Sequence, residues 1–536
     1  MRKTDFLREV RQRIENQPPG SLKKLFLDFA RWVPREAYAE ALLLFEKGDA
    51  SVVVTSSDSD LVAAVRQLHD SVKSGEYVFS WEPEGGYYDD GYWSDEETLY
   101  DRDGFGQKAT ELLEASMQCV NEKRYAKALG AFDELFSISI PGGDYDDFDL
   151  MTLFENDLIS LDEIEVLQCY AYSVLMVLIN DARTQKLYEI IKLSTYQAKL
   201  RDITNVGTDE IPERAEFARQ WIAFLMSQKD RWVVEPVLID AVIFSGGTRA
   251  LHSFAKEHGT VYQTAYAELI KIYATEKHFE KAAGAALEGL AKLSAINHNR
   301  VSIADLLLEI GKSLDENTLI ETAIWEGFRS SVDLRHFISL YDLNDECLIA
   351  QAIQHMDDNY RKDFYDYNYI HFLNGDYDLV WANCKKDKKF LGWSSSEKGK
   401  MIPLFVALLA GGKSIPPVIK KLIKESFPHN NYFENFLRIL HLSFRQLPEA
   451  DFQKYYDWCA KETEGRVNAI VQGQHRGSYY KASALVVAMA EGIRSNGDSD
   501  GAIRFIKSYK EKYPRHTAFH GCLREDITLG KFGKLF

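Results

Sequence analysis

The sequence predicts an all-α fold, an irregular α-solenoid of tetratricopeptide-like antiparallel helix pairs. Three observations predict it. Apolar residues recur at three- and four-residue spacing, short polar joints interrupt that spacing, and an aromatic-x-x-small signature opens the second helix of several pairs.

The spacing is visible from the start. "FLREVRQRIEN" carries Phe6, Val10 and Ile14 on one stripe, and "SLKKLFLDFARWV" carries Leu22, Leu25, Phe26, Phe29 and Val33 on another. Val52–Val54 is strand-like but too short to found a sheet. Asp49, Asn121, Asn374 and Asn496 mark polar joints, and links of two or three residues force neighbouring helices to run antiparallel.

Two pairs share a pattern, Ala109–Phe136 and Tyr266–Leu290, in which Tyr125 and Ala128 correspond to Phe279 and Ala282. A looser copy at Tyr369–Cys384 puts Tyr377 in the aromatic place and Val380 in the small one. The small residue lets two helices approach, and the ring fills the space beside it. The copies are irregularly spaced, which predicts a diverged array.

The segment Trp81–Gly106 breaks the pattern, with nine acids against one arginine and seven aromatics. It reads as a loop. The expected organisation is therefore a helical segment over 1–80, an acidic aromatic loop over 81–106, an α-solenoid over 107–445 and a helical cap over 446–536.

Charge narrows the function. The formal net charge is −17, from 81 acidic and 64 basic residues, and that field repels nucleic-acid phosphates. No apolar run approaches the length of a membrane span, and the first residues have no signal-peptide core. Six scattered cysteines without a CxxC pair read as free thiols of a reducing compartment. A cytoplasmic protein is expected.

Each chemical motif has a plainer structural reading. EF-hand registers from Asp101 and Asp144 lack ligands: Phe105 and Leu112 interrupt the first, and Phe148 and Asp149 the second. "LLAGGKS" ends like a phosphate loop, but Ala407 stands where glycine is needed, so the glycines read as a helix C-cap. His516, His520 and Cys522 lack a fourth zinc ligand, and no G-x-S-x-G exists. "AIVQGQHRGSYYKASA" (Ala469–Ala484) concentrates His475, Arg476, Ser478 and Lys481, yet apolar stripes flank it on both sides. It reads as a joint, with His475 and Arg476 capping one helix and Ser478 the next.

At that joint a likeness begins. The stretch from Arg466 to Phe519 resembles the C-terminal part of bacterial SWIM zinc-finger proteins and their relatives. Ala304–Leu343, with Ala323, Trp325, Phe328, Leu334 and Leu340, resembles their middle region; Phe390–Gly411 resembles a further joint, and Phe26–Phe45 resembles the segment that follows their finger. The resemblance implies a bacterial helical array. The finger requires CxC followed by CxH, and this sequence has neither, so its zinc and its nucleic-acid role are not carried over.

The expected function is a non-enzymatic protein–protein interaction scaffold or adaptor, with no cofactor and no metal. Its expected contact surface is the acidic aromatic patch Tyr87, Tyr88, Asp89, Asp90, Tyr92, Trp93, Asp95 and Glu96, which would hold a basic peptide segment of a protein partner through carboxylates and ring faces. Two alternatives stand beside it. One is a regulatory protein released by proteolysis at the small, polar joint near 392–401. The other is a nucleic-acid-associated accessory protein, by analogy with the finger-bearing relatives.

Overall fold

A computed structural model describes residues 60–83, 97–141, 147–193, 199–295, 297–360, 364–388, 396–411, 414–427 and 430–533. The stripes predicted at Phe6–Ile14 and Leu22–Val33 and the Val52–Val54 run lie outside these. Helix dominates as the periodicity requires: 24 α-helices and one two-stranded sheet are found among the described residues. None of these helices is long and apolar enough to cross a membrane. The chain divides into two units, Met1–His258 and Gly259–Phe536.

The first unit opens with α1 (Asp60–Lys73), followed by β1 (Phe79–Pro83) and β2 (Glu97–Asp101). The two strands pair antiparallel, Phe79 opposite Asp101 and Trp81 opposite Leu99. This corrects the loop expected over 81–106, since both of its flanks are strands. Alternation explains them: Phe79 and Leu99 point into the core, while Tyr100 is exposed. Asp101 then starts α2 (Phe105–Asn121) by accepting the N–H groups of Phe105 at 3.0 Å and Gly106 at 2.6 Å. The residue that begins the failed EF-hand register is thus a helix cap.

Next come α3 (Tyr125–Leu135), α4 (Leu150–Glu155), α5 (Glu163–Val177), α6 (Asn180–Leu193), α7 (Leu200–Thr204), α8 (Arg214–Ser227) and α9 (Arg231–His258), which is broken at Gly246–Gly247. Helices α2 and α3 pack together, α3 and α5 continue the layer, and α6 packs on α8.

The second unit begins with α10 (Thr264–Thr275), α11 (Phe279–Lys292), α12 (His298–Leu314), α13 (Asn317–Ser331) and α14 (Leu334–Asp342), each packed on the next. Helices α15 (Glu346–Asn359), α16 (Tyr367–Asn374), α17 (Tyr377–Cys384), α18 (Glu397–Ala410), α19 (Pro417–Ser426) and α20 (Phe433–Ser443) follow. The unit closes with α21 (Glu449–Gln472), α22 (Tyr479–Ser495), α23 (Ser499–Lys512) and α24 (Thr517–Leu529).

One device closes all three predicted pairs. Lys123, Lys277 and Gly375 take the left-handed conformation, two residues before Tyr125, Phe279 and Tyr377. The next N–H then reaches back five residues: Arg124 to Cys119 at 2.8 Å, His278 to Tyr273 at 2.8 Å, Asp376 to His371 at 2.9 Å. This pairing satisfies carbonyls that the helix end would orphan. Ala128, Ala282 and Val380 are fully buried, as the small place demands.

From Ile324 to Ile527 the second unit shares one core. At its centre α22 is buried on every side from Ala482 to Gly492, and it touches α18, α19, α21, α23 and α24. Helices on both sides of residue 446 therefore share this core. Helix α18 is likewise buried from Lys398 to Ala410 and ends at Gly411, whose φ of 56° is the C-cap expected from "LLAGG".

Candidate functional site

The patch predicted from Tyr87, Tyr88, Asp89, Asp90, Tyr92, Trp93, Asp95 and Glu96 lies outside the described residues. Its flanks are β1 and β2, anchored by Phe79 and Trp81 against Phe148, with ring centroids 5.7 and 6.4 Å apart.

A second acidic, tyrosine-bearing surface is described in full. It is a cleft of about 620 Å³ in the second unit, between the α16–α17 joint and the link from α20 to α21. Asp357, Asp376, Asp378 and Asp451 line it, with Tyr377, Tyr455, His371 and Arg445.

Its back wall is built on His371. The imidazole is buried, with Nδ1 2.8 Å from Asp376 Oδ2 and Nε2 3.3 Å from Asp357 Oδ1. Tyr367 packs edge-on to the ring at 4.5 Å and donates its hydroxyl to Asp357 at 3.0 Å. Asn374 donates to Asp376 at 2.7 Å and accepts from Arg445 through its carbonyl at 2.6 Å. Arg445 thus lies across Gly375, where a Cβ would come 2.7 Å from the guanidinium carbon.

The second wall is built on Lys454. Its ammonium donates to Asp378 at 2.5 Å and to Asp451 at 2.7 Å, while Tyr455 donates to Asp378 at 2.7 Å. Tyr377 donates to the Ser443 carbonyl at 3.2 Å and fixes the link beside it.

The electrostatics follow from these partners. The His371 hydrogen bond holds Asp376 below the usual carboxylate range, against burial and with help from Asn374 and Arg445. Lys454 and Tyr455 do the same for Asp378. Burial lowers the Lys454 pKa, but its two aspartates outweigh it and raise it. Burial pushes the Tyr377 and Tyr455 phenols up. The carboxylates remain open to solvent on one side, with Asp378 71% exposed and Asp451 39%.

The other sequence candidates resolve as structure. Ala469–Ala484 is a joint: Gln474 is left-handed, and the His475 N–H returns to the Ile470 carbonyl at 3.0 Å. His475 and Arg476 are exposed, and Ser478 makes no side-chain cap. The capping expected of those side chains is done by the main chain, because the left-handed residue already turns N–H groups onto the free carbonyls. His516, His520 and Cys522 do not assemble, and no group of three metal-binding side chains is found among the described residues. Burial, followed by Lys510, Arg524 and His516, holds the His520 pKa low.

The predicted cleavage joint near 392–401 is described from Ser396 onward. Ser396 caps α18, accepting the Gly399 N–H at 3.2 Å. Lys398 is buried against Glu462 at 2.9 Å, and Lys400 against Glu397 at 2.7 Å. This half is a buried helix start; the two carboxylates explain why its lysines do not mark a surface. Four of the six cysteines are buried, whereas Cys347 is exposed and Cys522 half-buried.

No family model matches the chain, and no curated protein matches it.

Proposed function

We propose that the protein is a non-enzymatic interaction scaffold or adaptor, an irregular array of tetratricopeptide-like helix pairs whose Asp357–Asp451 cleft receives a basic segment of a partner protein. The observation that carries this reading is the state of the cleft. Its shifted carboxylates are held ionised, and its shifted tyrosines are held protonated. An ammonium or guanidinium needs standing carboxylates, and Asp378 and Asp451 present theirs to solvent.

The array reading is supported by the successive packing of α10 to α14 and by the joint shared at Lys123, Lys277 and Gly375. The likeness to the helical part of SWIM-finger proteins belongs to the same proposal. The segment Tyr87–Glu96 has a similar acidic and aromatic composition.

The test is fluorescence anisotropy with three labelled nonapeptides, rich in Arg/Lys, in Ser/Gly and in Asp/Glu. The basic peptide is expected to bind in a salt-sensitive way, and Asp378→Asn with Asp451→Asn should weaken it about tenfold, the effect of losing roughly 1.4 kcal/mol. Equal binding by all three peptides, or no binding of the basic one, contradicts the reading.

A further inference from the structure

His336 is the third residue of α14, and its imidazole is 5% exposed. Nδ1 lies 2.8 Å from Asp333 Oδ2, and Nε2 lies 3.2 Å from Asp305 Oδ1. Asp333 is the N-cap of α14 and also accepts the His336 backbone N–H at 2.8 Å. Asp305 belongs to α12. The ring passes over Gly327 of α13, where a Cβ would stand 2.5 Å from it. A neutral imidazole donates from one nitrogen only; with the Nδ1–H on Asp333, its Nε2 lone pair would face the Asp305 carboxylate at 3.2 Å and the Arg335 guanidinium at 3.1 Å. The imidazolium satisfies both carboxylates.

We propose that His336 is a proton-held latch tying α14 to α12 across Gly327, and that loss of its proton releases α14.

The charged and polar surroundings act in both senses, since the Arg335 guanidinium lies 3.1 Å from Nε2. Arg335 pairs with Asp305 at 2.9 Å, the Ser331 hydroxyl donates to Asp333 at 2.7 Å, and Tyr432 stands within electrostatic reach of Asp333 and Arg335. Burial lowers the His336 pKa and Arg335 opposes the charge, but the hydrogen bonds that the ring donates to Asp305 and Asp333 outweigh both and raise it above the ordinary 6.5. The stabilisation is therefore complete below about pH 6.5 and is lost as pH rises through the raised value. As pH falls through the lowered values of Asp305 and Asp333 it fails again, because the carboxylates take up protons.

Release has a structural reach. The last turn of α14 carries Asp342, paired with Arg438 of α20 at 2.6 Å, and Tyr341, within electrostatic reach of Arg445 in the cleft. His371 repeats the geometry between Asp357 and Asp376.

Hydrogen exchange of the full chain, corrected for intrinsic rates and read from pH 5.5 to 9.5, tests the latch. Peptides covering Leu334–Asp342 should lose at least tenfold protection above the ordinary histidine range, while Tyr479–Ser495 stays constant. In Asp305→Asn the loss should move to lower pH. In Gly327→Ala protection at Leu334–Asp342 should be low throughout. A flat profile in the parent chain, or a profile that Asp305→Asn leaves in place, overturns the proposal. His336→Gln should abolish the pH dependence; its persistence there also overturns it.

Discussion

Arg445 lies flat across Gly375, so close that a Cβ on residue 375 would meet the guanidinium carbon at 2.7 Å. The same residue sits at φ 87°, the left-handed turn that closes α16. One glycine therefore serves both the helix joint and the floor of the cleft.

Gly375→Ala should cost about 1–2 kcal/mol from the left-handed backbone alone. The guanidinium is the far end of a flexible side chain and would swing aside, losing its bond to the Asn374 carbonyl. Urea unfolding of the second unit should register the loss. A shift no larger than experimental scatter would contradict this reading of the joint.

Glu491 makes the next prediction. Fully buried on α22, it accepts the N–H groups of Val418 at 3.0 Å and Ile419 at 2.9 Å. Pro416 and Pro417 precede these and bring no hydroxyl or carboxylate cap of their own. Glu491→Leu should leave both donors unpaired in the core and destabilise by about 2–4 kcal/mol. Glu491→Gln keeps an acceptor and should lose less than half of that in the same urea titration.

Acidification should find the aspartate clamps. Burial pushes the Asp333 pKa up, but His336 and Ser331 outweigh it and bring it down to about 2 from an ordinary 3.8. A depressed carboxylate stabilises the fold above its unfolded value and stops doing so as pH falls through the folded one. Asp333→Asn keeps a capping oxygen yet removes the ion pair, worth roughly 2 kcal/mol from that shift. Acid unfolding followed by circular dichroism should begin at higher pH in the variant; coincident curves would contradict the clamp.

Thiol reactivity gives a direct view of burial. Cys347 is exposed and should react with a disulfide reagent at once, with Cys522 slower. Cys169 is pushed up to about 12 by burial and by Glu165, and burial raises Cys384 and Cys459 as well. These three, with buried Cys119, should react only after denaturant is added. Rapid modification of more than two thiols in the native chain would contradict the packing.

How much of this could be read in advance depends on sequence distance. Tyr125, Phe279 and Tyr377 mark their pairs because four consecutive residues carry the whole signature. The apolar runs of α18 and α22, "MIPLFVALLA" and "ALVVAMA", declare buried helices. Lys123 and Lys277 gave no sign of their left-handed turns, since glycine is the residue such a turn leads one to expect. Lys398 looked like a surface residue because its partner Glu462 is distant in sequence. The cleft joins residues 353–379 to 445–455, and no local pattern announces such a meeting. The strands β1 and β2 were hidden by the acids and glycines between them.

The central claim is that the cleft receives a basic segment. The most direct measurement is a hydrogen-exchange footprint of the full chain with and without the Arg/Lys-rich nonapeptide. The account predicts slowed exchange at Asn374–Asp378 and Arg445–Asp451, abolished in Asp378→Asn with Asp451→Asn. A footprint confined to Trp81–Gly106, or none where the peptide is shown to bind, would contradict it.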